Sequence, residues 1–346
     1  MDQTVFTRAI LDWYDQFGRD LPWRRTRDPY AIWLSEIILQ QTRISQGLDY
    51  WHRFMARFPD VQALAAAGED EVLRLWEGLG YYSRARNLHA AARQIVAQGA
   101  FPRTLEGIRA LKGIGDYTAA AIGSIAFGLP AAVVDGNVYR VLARHFGLET
   151  PVGTTAAKKE FTALAQSLLP AGRPGDFNQG MMDFGAVQCT PSSPACLTCP
   201  LSGSCRALAT GQVDRLPVKK SGPAVKDRYF SYIYLRCAGM TAIRRRGAGD
   251  IWQGLWEPVL VEHGSDARSE GLPAWSGEGR LTLLHKDFRH QLTHRTLHAD
   301  FWLFESPERP PLPEGFIWVG EAELDHYAKP RLFELLLKEI QALTQS

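Results

Sequence analysis

Cysteine is scarce in this 346-residue chain: there are five, and four of them fall within residues 189–205. So few, so clustered, they exclude a disulfide scaffold and leave metal ligation as their leading use. Net charge is nearly absent as well, 39 Lys and Arg against 37 Asp and Glu, a formal +2. Any nucleic-acid surface must therefore come from local placement of basic side chains. No apolar run is long enough for a membrane: residues 117–134 are the least polar stretch, yet Gly123, Ser124, Gly128 and Pro130 break it before Asp135, as in a buried helix and turn. Met1-Asp2-Gln3-Thr4 has neither a basic nor an apolar leader region, so the expected location is the cytoplasm, where thiols stay reduced. What is present, 45% apolar and 22% charged residues, is the composition of a folded protein, and the length suggests about two domains.

The chain divides near residue 220. Asp28-Pro29 has the capping-acid and first-turn proline signature, and residues 31–40 that follow are apolar on nearly every side, which predicts a buried helix. Helical periodicity continues over 69–76, 85–97, 104–110, 117–127, 138–146 and 155–168 with Gly and Pro between, and no strand-period run competes. Residues 213–227 read as a linker, basic and rich in breakers around Leu216-Pro217 and Gly222-Pro223. Beyond it, 229–236, 240–244 and 297–304 are aromatic and β-branched, and 331–343 is an amphipathic helix pattern, so this half is expected to be α+β. The consecutive Arg244, Arg245 and Arg246 read as a solvated strand end.

Three features carry chemistry. Cys189, Cys196, Cys199 and Cys205 are spaced C-x6-C-x2-C-x5-C, with Pro191, Pro194 and Pro200 setting turns around one four-thiolate site. Zinc accepts four thiolates, but structural zinc usually takes two C-x2-C pairs and only one is present here; a 4Fe-4S cluster is preferred. Cys237 stands apart, as a core residue of a strand. In Leu111-Lys112-Gly113-Ile114-Gly115-Asp116-Tyr117, two glycines let a helical hairpin approach another backbone closely, ahead of a helix N-terminus that suits a phosphate. The third feature is a pair of acids. Glu36 shares an apolar helix with Ile32, Trp33 and Leu39, so desolvation should raise its pKa and suit it to be a general acid. Asp135 precedes Gly136-Asn137-Val138 at a helix N-cap, where N–H groups favour the ionised form, suited to stabilising positive charge. An acid and a carboxylate so matched are the general arrangement for breaking a glycosidic bond.

Together with Leu21-Pro22-Trp23-Arg24, residues 33–42, Gly78-Leu79-Gly80-Tyr81-Tyr82-Ser83-Arg84-Ala85-Arg86 and residues 178–205, these features resemble the MutY-type adenine DNA glycosylases of the helix-hairpin-helix repair superfamily. The resemblance implies an all-α helix-hairpin-helix glycosylase domain with an iron-sulfur lobe over 1–212, followed by an α+β Nudix-like 8-oxoguanine-reading domain over 228–346. It implies excision of adenine opposite 8-oxoguanine or guanine in double-stranded DNA, by a monomer acting at the nucleoid of a bacterial cytoplasm. Glu36 becomes the acid that protonates the adenine, Asp135 the carboxylate facing the sugar, and Tyr117 and Asn137 their supports. Gln41 and Tyr81 match wedge positions, and Arg84, Arg86, Lys112, Gly113 and Gly115 are candidate DNA contacts. Tyr117 stands where the related endonuclease III type carries a nucleophilic lysine, and Tyr139 where some family members carry another, so monofunctional hydrolysis is expected.

The C-terminal half has no G-x5-R-E-x2-E-E carboxylate helix in 228–346, so pyrophosphohydrolase activity is not expected. Leu292-Thr293-His294-Arg295 matches a family loop near the oxidised base, with Thr293 where Ser is common. His290, His294 and His298 recur every four residues, but in a strand pattern they would not converge on a metal. Two other readings compete: a superfamily member with another target, such as an oxidised-pyrimidine lyase or a thymine mismatch glycosylase, and a non-catalytic iron-sulfur protein that binds a lesion without cutting it.

Overall fold

The computed structural model describes residues 3–220, 225–264 and 279–345; Gly222-Pro223 of the linker reading lie outside them. The chain forms two compact units, one from residues 1–66 and 87–221, the other from residues 67–86 and 222–346. Helices α1 Gln3–Phe17, α2 Pro29–Ile38, α3 Ile44–Arg57 and α4 Val61–Ala66 open the first unit. Next come α5 Glu69–Leu75, which belongs to the second, and α6 Ser83–Ala97, within which the chain passes back. The first unit continues through α7 Leu105–Arg109, α8 Asp116–Phe127, α9 Gly136–Phe146, α10 Thr155–Leu168, α11 Pro174–Asp183 and the short α12 Arg206–Ala209.

The local chemistry read from the sequence is in place. Asp28 caps α2 by accepting from the N–H groups of Tyr30 and Ala31, with Pro29 in the first turn. Eight of the ten α2 residues are buried, as its all-round apolar pattern requires. The described residues of the first unit form no strand. One core gathers Phe6, Ile10 and Trp13 of α1 with Val138, Leu142, Phe161, Phe177 and Phe184. Leu216 joins that core, and the carbonyl of Val218 accepts from Val152 N–H at 2.9 Å, so this part of the predicted linker is packed.

In the second unit β1 Lys226–Cys237 is central. It pairs with β2 Met240–Arg245 and β4 Val259–His263 antiparallel and with β6 Arg295–Glu305 parallel. β3 Trp256–Glu257 and β7 Phe316–Gly320 add to β2, and β5 Arg280–Gln291 pairs with β6. α13 Arg331–Gln345 buries Leu332, Phe333, Leu336 and Ile340 against Phe230, Tyr232, Tyr234 and Phe301 of the sheet. Cys237 is a buried strand residue. The arginine run does end strand β2, with Arg244 and Arg245 partly solvated, but Arg246 is enclosed and all three are ion-paired. Arg244 and Arg246 both pair with the fully buried Glu257, Arg246 also with Asp250 at 2.7 Å, and Arg245 with Glu69 at 2.7 Å. A buried carboxylate needs such partners, and a strand-end reading has no way to see one that lies 11–13 residues downstream.

Candidate active site

A cleft of the first unit, about 850 Å³, is lined by Glu36, Tyr117, Asp135, Asn137, Gln41, Gly115, Arg24, Gln179 and Met182 among others. Glu36 comes from α2, Tyr117 from the first turn of α8, and Asp135 from the N-cap of α9. Asn178 positions the segment before Asp135: its side chain accepts from Val133 N–H at 3.0 Å and donates to the carbonyl of Ala131 at 2.8 Å.

The two carboxyls are treated differently by their surroundings. Burial pushes Glu36 up to about 7, opposed by a hydrogen bond from Tyr117 Oη to its Oε2 at 3.2 Å; Asp135 pushes further up and Arg24 down. Burial also raises Tyr117 well above the usual phenol value, with the Glu36 charge next. Asp135 is the predicted N-cap, accepting from Val138 N–H at 2.8 Å and from Asn137 Nδ2 at 2.8 Å. These donors favour the ionised form, as the cap position predicts, but they do not set the net direction. Burial outweighs these donors and the Arg140 charge, so its pKa is raised as well. The contrast that remains is in hydrogen-bond donors: Val138 and Asn137 for Asp135, a single phenol for Glu36, each with one arginine nearby.

Sequence reasoning missed the supports. Arg140, one turn after Asn137 on α9, donates to Asn137 Oδ1 at 2.9 Å, to the carbonyl of Gly185 at 2.6 Å and to the carbonyl of Cys189 at 2.7 Å. This fixes which end of the Asn137 amide faces Asp135. An i,i+3 Asn–Arg pair on one helix was the only available signal. Gly185 is required because a Cβ there would lie 2.6 Å from Asn137 Cβ. Arg24 and Arg19 converge on Asp183, which is fully enclosed; Arg24 Nη2 is 2.6 Å and Arg19 Nε 2.8 Å from it. Burial alone would raise Asp183, but these bonds hold it below the ordinary range.

The cysteines border a separate small cavity with Arg144, Gln188, Leu208 and Val213. Arg144 reaches Cys189 Sγ at 3.4 Å and the carbonyls of Thr190 and Pro191. Burial raises the thiols of Cys196 and Cys199, the latter to about 11, and the neighbouring sulfurs raise them further. Among the described residues no group of three or more His, Cys, Asp and Glu side chains is arranged to hold a metal ion.

The DNA-contact candidates divide. Gln41 and Tyr81 both have positive φ, 56° and 46°, a left-handed conformation uncommon for such residues and frequent at functional turns. Gly113 has φ 77°, and a Cβ there would meet Asn87 at 2.6 Å. Lys112 is exposed beside it, and Gly115 caps α8. In the second unit Tyr81 is hydrogen-bonded to Thr293 in the β5–β6 turn, where His294 is exposed. Arg84 is half-buried, donating to the carbonyls of Leu79 and Gly80 at 3.1 and 3.2 Å, and Arg86 donates to the carbonyl of Gln253 at 2.5 Å.

The family model of HhH-GPD superfamily base excision DNA repair proteins matches residues 34–170, and that of the NUDIX domain matches residues 231–339. An adenine DNA glycosylase of Buchnera aphidicola subsp. Baizongia pistaciae is 32% identical over 88% of this chain and 87% of its own. The mouse adenine DNA glycosylase is 46% identical over 62% of this chain, which spans 45% of the mouse protein's length. Among solved structures, a thermostable thymine-DNA glycosylase superposes with a TM-score of 0.55 at 33% identity, covering 60% of this chain and 97% of that one.

Proposed function

This chain belongs to the adenine DNA glycosylases, and on that premise we propose that it excises adenine mispaired with 8-oxoguanine or guanine from duplex DNA, by acid-assisted hydrolysis. The observation that carries the reading is the Glu36 carboxyl, raised to about 7 in the same cleft as Asp135. An acid poised near neutrality donates its proton efficiently. The extruded adenine enters the cleft and Glu36 protonates it. The N-glycosidic bond then loosens, and Asp135, oriented by Val138 N–H and Asn137, stabilises the sugar cation until water adds. Tyr117 in place of an amine supports a monofunctional reaction. Gln41 and Tyr81, in strained backbone, are proposed as the residues that fill the stack. Lys112, Gly113 and Gly115, with Arg84 and Arg86, are proposed to line the backbone contacts, and Thr293 and His294 to read the oxidised base. The enzyme would act as a monomer at the nucleoid of a bacterial cytoplasm.

Cys189, Cys196, Cys199 and Cys205 are proposed to hold a 4Fe-4S cluster. Four thiols around one cavity, two of them raised by burial and by each other, are a donor set that bound iron would relieve. When bound, the cluster supplies iron–thiolate crosslinks that staple the loop.

Single-turnover cleavage of duplexes bearing A opposite 8-oxoguanine, G or T, thymine opposite G, and thymine glycol opposite A tests the reading. Alkali-dependent breaks confined to the first two support it. Thymine release would assign the chain another target, breaks without alkali a lyase, and binding with no cleavage a recognition protein.

A further inference from the structure

Tyr117 Oη has one hydrogen and two acceptors within reach: Glu36 Oε2 at 3.2 Å and Met182 Sδ at 3.5 Å. Met182 lines the cleft from α11, half-buried. The two acceptors correspond to two protonation states of the acid. When Glu36 is ionised, the phenol donates to Oε2, the stronger, charge-assisted bond. When Glu36 carries its proton on Oε2, that proton can go to Tyr117 Oη once the phenol's own hydrogen turns away, which is favoured where that hydrogen meets another acceptor. In this pocket the thioether supplies it, as a weak but correctly placed acceptor.

We infer that Met182 is a positioning residue for the general acid: by accepting the Tyr117 hydroxyl hydrogen it stabilises the protonated form of Glu36. The inference rests on the reading of Glu36 as the proton donor. The other charged groups facing Glu36 are Asp135, which favours the same protonated form, and Arg24, which opposes it while tied to Asp183. None of these hydrogen-bonds Tyr117, so the phenol is the route by which Met182 acts. A leucine at 182 would keep the volume and remove only the acceptor. The ionised state, in which the phenol already donates to Glu36, would be unaffected. The protonated state loses one arrangement, and Glu36 gives up its proton at lower pH.

The test is a carbon-detected NMR titration of the full-length protein labelled at the glutamate carboxyl carbons, with the Glu36 signal assigned by Glu36→Gln. Met182→Leu should move the Glu36 midpoint down by about half a pH unit, the size expected of one weak hydrogen bond. Met182→Gln, whose amide oxygen restores an acceptor, should bring it back, and in a Tyr117→Phe background Met182→Leu should have no effect. The descending limb of the pH profile for excision should follow the same shifts. An unchanged midpoint in Met182→Leu, or an equal shift without the Tyr117 hydroxyl, overturns the inference. If the titration behaves as described while no adenine duplex is cut, the functional reading fails and the hydrogen-bond assignment stands.

Discussion

A single proton decides what Glu36 can do. Its carboxyl is raised to about 7, and the donating form is the protonated one, so excision should hold on the acid side and fall about tenfold per pH unit above 7. A rate that instead rises through pH 7 would assign Glu36 as a base. Glu36→Gln keeps the size and removes the proton donor, so it should retain duplex binding and lose excision, by about 10²-fold or more in single-turnover rate. Normal turnover by that variant would overturn the assignment. Glu36 was legible in the sequence because an acid among Ile32, Trp33 and Leu39 must be desolvated whatever the details. The net direction of the Asp135 shift was not. An N-cap position tells which N–H groups will be donated, but not how completely the rest of the carboxyl is enclosed. That enclosure comes from segments distant in sequence, and here it outweighs the donors.

Elements, unlike side chains, announced themselves well. α10 occupies residues 155–168 as its pattern predicts, and Asp28 and Pro29 start α2 as their types require. What stayed hidden was how the end of α11 locks onto its neighbours. Gly185, in the turn that continues α11 toward Cys189, abuts Asn137, with a would-be Cβ at 2.6 Å from Asn137 Cβ and 2.9 Å from its carbonyl oxygen. Gly185→Ala must push the start of α9 away. It should cost about 1–3 kcal/mol as an overpacked contact, and excision should fall by more than the loss of folded protein explains, since Asn137 bonds Asp135. Melting curves and single-turnover rates on the same sample separate the two effects. At the other end of this region, Asp183→Asn leaves the largely buried Arg24 and the partly exposed Arg19 facing a neutral, enclosed amide. Breaking a buried ion pair from one side costs about 3–5 kcal/mol. Because the native Asp183 pKa is depressed, the pair's contribution is present above the ordinary carboxylate range and is lost as pH falls through the native value. The gap between wild-type and Asp183→Asn urea midpoints should be widest at pH 7 and narrow as the pH falls; no gap at pH 7 would show that the pair contributes nothing.

At the scale of the whole molecule, the sequence divides once, near residue 220, whereas the structure groups residues 67–86 with the C-terminal sheet unit. No compositional signal marks that exchange. It depends on pairs such as Arg245 with Glu69 and Tyr81 with Thr293, whose members lie 176 and 212 residues apart. The cysteine loop is the opposite case: its spacing is plain in the sequence, and its consequence reaches well beyond the loop. Arg140 ties the carbonyl of Cys189 to the Asn137 amide, and Asn137 in turn holds Asp135. Arg144 ties Cys189 Sγ and the next two carbonyls to the same helix α9. If the four thiols hold a cluster, Cys199→Ser should remove its visible absorbance and lower the melting temperature, because metal binding and folding of such a loop are coupled. It should also slow excision in whatever protein remains folded, since a loosened Cys189 carbonyl frees Arg140 and lets the Asn137 amide rotate. Arg140→Ala removes the same tether without touching a thiol, so it should slow excision at full iron content. Iron content, melting temperature and single-turnover rate measured on both variants separate the outcomes. Full excision by Arg140→Ala would confine the cysteine loop to stability and detach it from the chemistry of Asp135.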